Sequence, residues 1–394
     1  MAAADIAPFE RPWGEPDHLM TSLSLKDFPK KSVLRNLAAA ALLGVAAAAL
    51  VVCFQLLPIQ GSSLGIDWQG IWPGLRGGLP HYGTGLRNPP WSLLPILPLG
   101  FLPFKTSWGI LSFLTLAVEV LSVAQLAPGR IKWLVTVFLI TSFPSLRNLA
   151  DGNIEVLPLA GILISLFAYR THRPWALALG FLLASAKPQE TWLLLVVVSV
   201  LVVRTWPLRR ILPASVGLAA VVAVAMIPFG KPWLTAMLSM PDRGSVMDSA
   251  LLSGMGRLGV SPWFSWAVWT LILCGTVWVA FSTGPSLSRE KAAFLVSASL
   301  LLSPYAAGNN LLAIAVIGVV ALAATQPIQA VTLGLLIDLP YVVLFNKNIM
   351  FHYEAYYATC ATLIAWAVLG VTALANKRSS PATQFQIRAR SLGR

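Results

Sequence analysis

Residues 211–228 read ILPASVGLAAVVAVAMIP, an apolar run of eighteen residues without a charged side chain. A helix of about 20 such residues spans the roughly 30 Å hydrocarbon core of a bilayer. The whole chain has the same character, since 57% of its 394 residues are hydrophobic and only 11% are charged. Soluble domains carry about 25% charged residues, so this composition excludes a soluble globular protein. The apolar runs are continuous rather than alternating, which argues against an outer-membrane β-barrel.

The sequence predicts an all-α polytopic membrane protein, with a bundle of about 12 transmembrane helices. The other predicted spans are residues 33–59, 106–127, 133–149, 152–169, 174–186, 188–203, 261–283, 291–304, 309–325, 327–345 and 353–375. Several of these runs are short for the thickness of a bilayer. They therefore predict broken or partial helices.

Lysine and arginine residues give the predicted orientation, because cytoplasmic loops are enriched in them. With a cytoplasmic N-terminus, five of the predicted inner segments are basic. These segments contain Arg130 and Lys132, Arg170 and Arg173, Arg204 with Arg209 and Arg210, Arg289 and Lys291, and the tail from Lys377 to Arg394. We expect a cytoplasmic segment 1–32, a membrane domain 33–375 and a basic cytoplasmic tail 376–394. The net charge of +13 then reflects topology and not nucleic-acid binding, because no basic stretch is interleaved with aromatic residues.

Two long segments lie on the predicted outer face, at residues 60–105 and 229–260. An odd number of crossings must join the first of them to the inner loop at Arg130, and span 106–127 already provides one. The segment 91–104 contains three prolines and is therefore expected to form interfacial or re-entrant helices. A protein that keeps its non-helical residues outside is expected to work on that face.

Seven acidic residues lie at or near this outer face, and a charge near membrane depth indicates function by default. They are Asp67, Asp151, Glu155, Glu190, Asp242, Asp248 and Glu354. Asp67 stands out because apolar and aromatic residues flank it in the stretch from Gly65 to Trp68. Such a carboxylate can have a raised pKa and act as a general base. The alternative is a loop aspartate that caps a short helix beginning at Trp68.

Basic residues of the first outer loop are candidates for binding a phosphate. Arg76, His81 and Arg87 could gather at one mouth, close to Tyr82 and Asn88. Alternatively, these basic side chains extend to lipid headgroups and have no specific ligand.

Two polar breaks between predicted spans carry further charged candidates. In the first, Arg147 precedes Asp151 by four residues, so the two side chains can pair. Asp151 and Glu155 have the same spacing and would share one helix face; the alternative is an ion-paired hairpin tip. In the second break, Lys187 lies on the outer side against the positive-inside trend, so anion binding and structural anchoring both stay open.

A third break, at residues 302–310, contains Ser, Tyr and Asn side chains that can hydrogen-bond to sugar hydroxyls. The alternative for this break is a tight turn. A further outer cluster surrounds His352. The candidate substrate-binding residues are His81, Tyr82, Asn88, Asp151, Asn153, Glu155, Glu190, Tyr305, Asn309 and His352.

The sequence lacks the common signatures of cofactor and metal chemistry. No two of its four histidines have metal-ligand spacing, and it contains no P-loop, GxSxG or Rossmann motif. We therefore expect no metal and no cofactor, with an activated lipid or a gradient as the energy source.

Glu119 and Asp338 lie inside predicted spans. Either could be the proton-coupled site of a secondary transporter or lipid flippase, or else pair with a neighbouring side chain. No internal repeat supports a transporter; a non-catalytic scaffold is the third alternative.

The outer motifs, taken in order, resemble the GT-C superfamily, and within it the polyprenol-phosphate-mannose-dependent α-mannosyltransferase family of bacteria. The motifs are the Asp67 loop, Tyr82, Asn88-Pro89-Pro90, Asp151-Gly152-Asn153-Ile154-Glu155, Lys187-Pro188 and Ser303-Pro304. Two steps depart from the family pattern. The family usually has an aromatic residue and a histidine where this chain has residues 306–310, and asparagine where it has Glu155. These departures bear on the acceptor and on the donor sugar.

This resemblance implies a GT-C-like fold with its active site on the extracytoplasmic face of a bacterial plasma membrane. The donor would be a polyprenyl-phosphate sugar, with mannose as the sugar, and the acceptor a lipid or a glycan. Asp67 would deprotonate the acceptor hydroxyl, with inversion at the sugar carbon and without a metal. Lys187, Arg87, Arg147 and Arg76 would hold the donor phosphate.

Overall fold

The computed structural model describes residues 30–58, 64–82, 86–124, 130–239, 248–343 and 347–378. The chain divides into two units, residues 1–49 and residues 50–394. The first unit is described from Lys30 onward, where it is helical. The second unit contains the remaining helices and all of the side-chain contacts discussed below.

The described residues form helices and no strand. The α-helices are α1 Lys30–Leu56, α2 Ile66–Leu75, α3 Phe104–Ala124, α4 Arg130–Thr141, α5 Phe143–Asp151, α6 Val156–Arg170, α7 Pro174–Ala184, α8 Pro188–Thr205, α9 Leu208–Leu238, α10 Leu251–Arg257, α11 Pro262–Ser282, α12 Arg289–Leu302, α13 Leu311–Ile314, α14 Val320–Thr325, α15 Pro327–Val343 and α16 Lys347–Arg378. Short 3₁₀ helices lie at Pro90–Leu93, Leu97–Phe101 and Gly308–Asn310, and a π-helical turn at Ala315–Val319 joins α13 to α14.

The helical class confirms the prediction of a polytopic membrane protein. Six segments within the described residues are long and apolar enough to cross a membrane. They are residues 104–124, 188–205, 208–238, 262–282, 308–325 and 353–376. The pair α4 and α5 gives a seventh crossing if it acts as one span. Shorter apolar helices, such as α6 and α7, occupy further predicted runs, so the count of 12 stays a prediction.

The predicted span 133–149 is broken into two helices, because α4 and α5 meet at a bend of 45°. Ser142 has an extended backbone and its side chain accepts a hydrogen bond from the backbone N–H of Ser145, at 3.4 Å. Pro144 follows in the first turn of α5, where a missing N–H donor costs little. Asp338 of α15 accepts a further hydrogen bond from the backbone N–H of Phe143, at 2.9 Å. The start of α5 is therefore capped by two side chains, that of Ser142 directly before the helix and that of Asp338 in α15.

The two long outer segments differ in how well the sequence predicted them. Residues 90–101 form two short 3₁₀ helices of four and five residues, so this part of the segment 91–104 does not cross the membrane as a helix. The loop predicted at 229–260 begins too early, because α9 continues to Leu238 through Pro228 and Pro232. Each of these prolines lacks an N–H and therefore removes one hydrogen bond from inside the helix.

Helix α12 lies at the centre of the described bundle, where it packs against α8, α11 and α16. Every one of its residues is buried, including three charged residues at its start. Arg289 donates a hydrogen bond to the carbonyl oxygen of Ser122 at 2.9 Å, and the Lys291 ammonium donates to that of Gly284 at 2.8 Å. These carbonyl contacts compensate part of the cost of burying the two cations.

Helices α6 and α7 form a closely packed hairpin, because two glycines let their backbones approach. A Cβ atom on Gly161 would lie 2.2 Å from the backbone nitrogen of Ala184, and one on Gly180 would lie 2.4 Å from the Ser165 hydroxyl oxygen. Both distances are far below van der Waals contact. The hairpin brings the start of α6 beside the end of α7, which is where the candidate site lies.

Substitution of Gly161 by alanine tests this close packing. We expect Gly161→Ala to destabilise the protein by about 1–3 kcal/mol, because the added methyl group forces α6 and α7 apart. Thermal unfolding of the detergent-solubilised protein measures the effect. Gly275→Ala in α11 is the matched control, since its Cβ would lie 3.7 Å from the nearest atom of Trp366. Equal unfolding temperatures of the two variants would contradict the packing argument.

Candidate active site

The carboxylate of Asp67 lies in the first turn of α2. The helix begins at Ile66, and its N-cap residue is Gly65, whose left-handed φ of 69° favours glycine. Asp67 Oδ2 accepts a hydrogen bond from the side-chain amide of Asn153, at 2.7 Å. The alternative prediction, in which Asp67 caps a helix that begins at Trp68, is therefore wrong.

Helix α2 is held by contacts with α3 and α5. The indole N–H of the fully buried Trp68 donates to the Ser107 hydroxyl at 3.0 Å, and the backbone N–H of Gly65 donates to the carbonyl oxygen of Ala150 at 2.6 Å. Gly152 follows α5 with a φ of 72°, and a Cβ atom there would lie 2.5 Å from the Cβ of Trp68. Only glycine permits both this conformation and this close approach.

The environment of Asp67 favours its protonated form. Burial raises the pKa of the Asp67 carboxyl to about 6, and the negative charge of Asp151 adds to the rise. The positive charges of Lys187 and Arg147 and the hydrogen bond from Asn153 oppose it. A carboxylate with this pKa is mostly ionised at neutral pH and is a stronger base than an ordinary aspartate.

Asp67 lies in a cavity of about 420 Å³, which we call the Asp67 chamber. Its walls come from α2, from the loop before the first 3₁₀ helix, and from the starts of α6, α8 and α13. Seven residues predicted from the sequence line it: Asp67, Arg87, Asn88, Asn153, Lys187, Tyr305 and Asn309. Gln189 and Asn310 line it as well. Asn310 was predicted only as one of the asparagines of the break at residues 302–310. Gln189 was not predicted, and its only sequence signal was its position close to Lys187.

The loop that carries Arg87 and Asn88 is held against the turn between α7 and α8. The Asn88 amide donates a hydrogen bond to the carbonyl oxygen of Ala186, and the Trp91 indole donates to the Ser185 hydroxyl, both at 2.8 Å. The Tyr82 hydroxyl donates to the carbonyl oxygen of Asn88, also at 2.8 Å. These bonds place Arg87 and Asn88 next to Lys187.

Lys187 belongs to a buried cluster of charged and amide side chains. Its ammonium forms ion pairs with Glu155 and, at 3.4 Å, with Glu190. The side-chain amide of Asn310 donates to both of these carboxylates, at 3.2 Å to Glu155. Burial alone would lower the pKa of Lys187, but the attraction of the two glutamates outweighs it and raises the pKa. The ammonium is therefore charged and already shared by two carboxylates.

Comparison with known protein families gives a match to the sequence model of glycosyltransferase family 87, over residues 87–304. This match covers more than half of the chain. The protein belongs to glycosyltransferase family 87. It is thus a membrane glycosyltransferase, which uses a sugar donor and an acceptor. No curated protein and no solved structure gives a significant match.

The family match supports the membrane-glycosyltransferase part of the resemblance found in the sequence, whereas the mannosyltransferase assignment stays a prediction. The matched segment contains Arg87, Asn88, Asn153 and Lys187 of the chamber. Asp67 precedes it, and the asparagines of the last 3₁₀ helix follow it. The chamber of the glycosyltransferase therefore includes residues on both sides of the matched segment.

Arg147 of the glycosyltransferase pairs with Asp151 as predicted, at 3.2 Å, and it also pairs with Glu354 of α16. Asp151 and Glu155, however, do not share one helix face. That prediction is wrong because α5 ends at Asp151, the left-handed Gly152 reverses the chain, and Glu155 precedes α6. Arg147 does not line the Asp67 chamber.

Other predicted site residues lie elsewhere. Arg76 is exposed and lies over the ring of Trp72, 5.5 Å from its centroid, and His81 is exposed as well. Neither of them lines the chamber, and Tyr82 lines a second cavity. Glu190 does not line the chamber and forms an ion pair with Lys187. The side chain of His352 and the whole of Asp242 lie outside the described residues.

The two carboxylates predicted inside spans both hold α5 in place. Glu119 is fully buried and accepts a hydrogen bond from the Ser145 hydroxyl, at 2.9 Å. Asp338 accepts one from the first N–H of α5, as described above. Asp248 is also buried, and it accepts a hydrogen bond from the backbone N–H of Ala306, at 3.1 Å.

Within the described part of the chain, no group of three or more His, Cys, Asp or Glu residues is placed to hold a metal ion.

The raised pKa of Asp67 predicts an effect on stability that depends on pH. The folded protein retains this proton up to about pH 6, whereas the unfolded chain loses it near pH 4, so deprotonation in this window costs folding free energy. Asparagine carries no charge and can still accept the hydrogen bond from Asn153. We expect Asp67→Asn to stabilise the protein by about 1–3 kcal/mol at pH values above about 6, and to lose this gain near pH 4.

Thermal unfolding of both proteins across this pH range measures the effect. Asp248→Asn is the matched control, because its carboxylate accepts hydrogen bonds from the backbone N–H groups of Ala250 and Ala306, so removal of this charge should give no gain. A less stable Asp67→Asn variant at neutral pH would contradict the assigned environment of Asp67.

Proposed function

We propose that this glycosyltransferase transfers a sugar from a polyprenyl-phosphate donor to a hydroxyl group of a lipid or glycan acceptor. The observation that carries the proposal is the Asp67 carboxylate, with its pKa near 6, in the same chamber as the cations Arg87 and Lys187. One base and a positively charged region are what this reaction needs, since one acceptor proton is removed and one phosphate leaves.

In the proposed reaction, Asp67 accepts the proton of the acceptor hydroxyl. The acceptor oxygen attacks the anomeric carbon of the sugar and forms the new glycosidic bond. The bond from that carbon to the phosphate oxygen breaks, and polyprenyl phosphate leaves with the electron pair. A single displacement of this kind inverts the configuration at the anomeric carbon. No metal is required, because the leaving phosphate is stabilised by side-chain cations.

The cations differ in how they can serve the donor. Arg87 lines the chamber, and a guanidinium binds phosphate through two parallel hydrogen bonds. Lys187 lines it too, as a point charge that Glu155 and Glu190 share. We assign the larger part of phosphate binding to Arg87 because of the geometry of its guanidinium. Arg76 and Arg147 do not line the chamber and are not part of this proposal.

Amide side chains around the chamber suit a sugar. Those of Asn88, Asn153, Gln189 and Asn309 line it, together with Tyr305, and they offer both donors and acceptors to sugar hydroxyls. Mannose is the sugar implied by the resemblance to the bacterial α-mannosyltransferases. We therefore take polyprenyl-phosphate mannose as the first donor to test.

The position of the chamber along the helices supports an extracytoplasmic site, and the resemblance to the bacterial family implies the bacterial plasma membrane. Helices α6 and α8 both begin beside the chamber, and each has an arginine in its last turn, Arg170 and Arg204 respectively. Arginine-rich ends are typical of the cytoplasmic side, so the chamber belongs to the opposite side. The transporter or flippase alternative gains no support, because Glu119 and Asp338 are hydrogen-bonded to α5.

The proposed reaction can be measured directly with the purified protein in nanodiscs. The assay offers radiolabelled polyprenyl-phosphate mannose together with a crude lipid extract, with and without EDTA. We expect transfer by the wild type in both conditions, and a loss of at least about 100-fold in Asp67→Asn, because the base is gone. Asp338→Asn is the matched control and should retain activity. Full activity of Asp67→Asn would rule out its role as the base.

The pH dependence of transfer gives a second test. With Asp67 as the base, kcat/KM should rise as the pH increases through about 6 and then level off. Removal of the nearby negative charge in Asp151→Asn lowers the pKa of Asp67, so the rise should move to lower pH. An unshifted profile in this variant, or a shift to higher pH, would show that another group controls the rate.

A further inference from the structure

A second cavity, of about 410 Å³, lies between the first outer loop and the last turns of α9. We call it the α9 cleft. It is lined by Tyr82, Arg87, Lys231, Pro232, Thr235 and Ser239, among others. Lys231, Thr235 and Ser239 are not among the site residues predicted from the sequence.

The chemistry of the α9 cleft suits an anion. Its described lining residues supply two cations, Arg87 and Lys231, and hydroxyl groups from Thr235 and Ser239, and none of them is a carboxylate. Guanidinium, ammonium and hydroxyl groups together are the usual donors to a phosphate. The ligand expected from this set is therefore a phosphate group.

The two elements that line the α9 cleft, the first outer loop and α9, are in direct contact with each other. The Trp233 indole of α9 donates a hydrogen bond to the carbonyl oxygen of Arg87, at 3.0 Å. The rings of Trp91 and Trp233 meet edge to face, with their centroids 5.3 Å apart. The cleft is thus a defined space between two contacting elements, and its shape does not depend on long side chains alone.

The depth of Lys231 points to a phosphate that belongs to a lipid. Lys231 lies 21 residues after Arg210 in α9, which corresponds to about 32 Å of helix. This length matches the roughly 30 Å hydrocarbon core, so the two charges lie at the two headgroup layers. Ile227, about one turn before Lys231, is 85% exposed, as expected for a helix that faces lipid up to this depth.

Arg87 lines both the α9 cleft and the Asp67 chamber, so the two cavities meet at this side chain. We infer that the α9 cleft binds the phosphate of the lipid that carries the sugar, between Lys231 and Arg87, while the sugar reaches past Arg87 into the Asp67 chamber. The identity of the lipid as the sugar carrier rests on the proposed function. The phosphate site itself rests on the cleft and its cations.

Binding of polyprenyl monophosphate to the full-length protein in nanodiscs tests the site without catalysis. We expect Lys231→Gln to weaken binding about tenfold, the effect of losing one charge-assisted hydrogen bond. Lys231→Arg should bind as the wild type does. Arg210→Gln removes the same charge from the other end of α9 and should have no effect. Unchanged binding by Lys231→Gln, or an equal loss in Arg210→Gln, would overturn the assignment.

Two further probes separate the sources of the phosphate. Phosphatidylglycerol vesicles and inorganic phosphate are offered as competitors of polyprenyl monophosphate. We expect weak competition from both. Competition by phosphatidylglycerol at equal concentration would show a general headgroup site, and equal competition by inorganic phosphate would show a site that does not need a lipid. Either result would overturn the assignment to the carrier lipid.

Transfer kinetics distinguish a failure of this inference from a failure of the proposed function. In Lys231→Gln we expect the KM for the donor to rise about tenfold and kcat to stay within about twofold, because the chemical groups at Asp67 are untouched. Transfer with an unchanged KM would overturn the inference alone. Binding of polyprenyl monophosphate that depends on Lys231, without transfer from any polyprenyl-phosphate sugar, would overturn the proposed reaction and support the phosphate site.

Discussion

A buried ammonium shared by two buried carboxylates is the interaction on which the site depends. Moving an ion from water into a protein interior costs several kcal/mol, and an ion pair recovers this cost only in good geometry. Lys187 precedes α8, Glu155 precedes α6 and Glu190 lies in the first turn of α8, while Asn310, which precedes α13, bonds to both carboxylates. A shift of any of these helices would leave a buried charge without its partner. The cluster therefore fixes the position of three helix ends around the Asp67 chamber.

The position of the base depends on packing rather than on the stability of its own helix. Helix α2 has ten residues, which is too short for a stable isolated helix. It is held by the buried Trp68, whose Cβ comes so close to Gly152 that no side chain fits there. The same turn carries Asn153, the hydrogen-bond partner of Asp67. One glycine thus sets the distance between two elements and the orientation of the carboxylate.

Sequence reasoning predicted the helical membrane class, the Arg147–Asp151 pair and the raised pKa of Asp67, because each follows from local composition or spacing. It did not predict the contact between Glu155 and Asn310, since the sequence separation of the two residues gives no sign of it. The prediction that Asp151 and Glu155 share one helix face was wrong. The glycine between them is compatible with a helix and with a left-handed turn, and only the fold determines which of the two forms. The number of crossings was not settled either, since an apolar run such as α12 is equally suited to protein and to lipid surroundings.

The order of the charged residues along the chain has a consequence for how the protein is made. Glu155 and Lys187 flank the α6–α7 hairpin, so both emerge from the ribosome well before α13 exists. The ion pair can form between the two ends of this hairpin. The two charges then enter the bilayer together rather than one at a time, which lowers the free-energy cost of insertion. Asn310 reaches the pair only after α12 is in place. The Asp67 chamber is therefore completed late in synthesis, after the charges of Glu155 and Lys187 have neutralised each other.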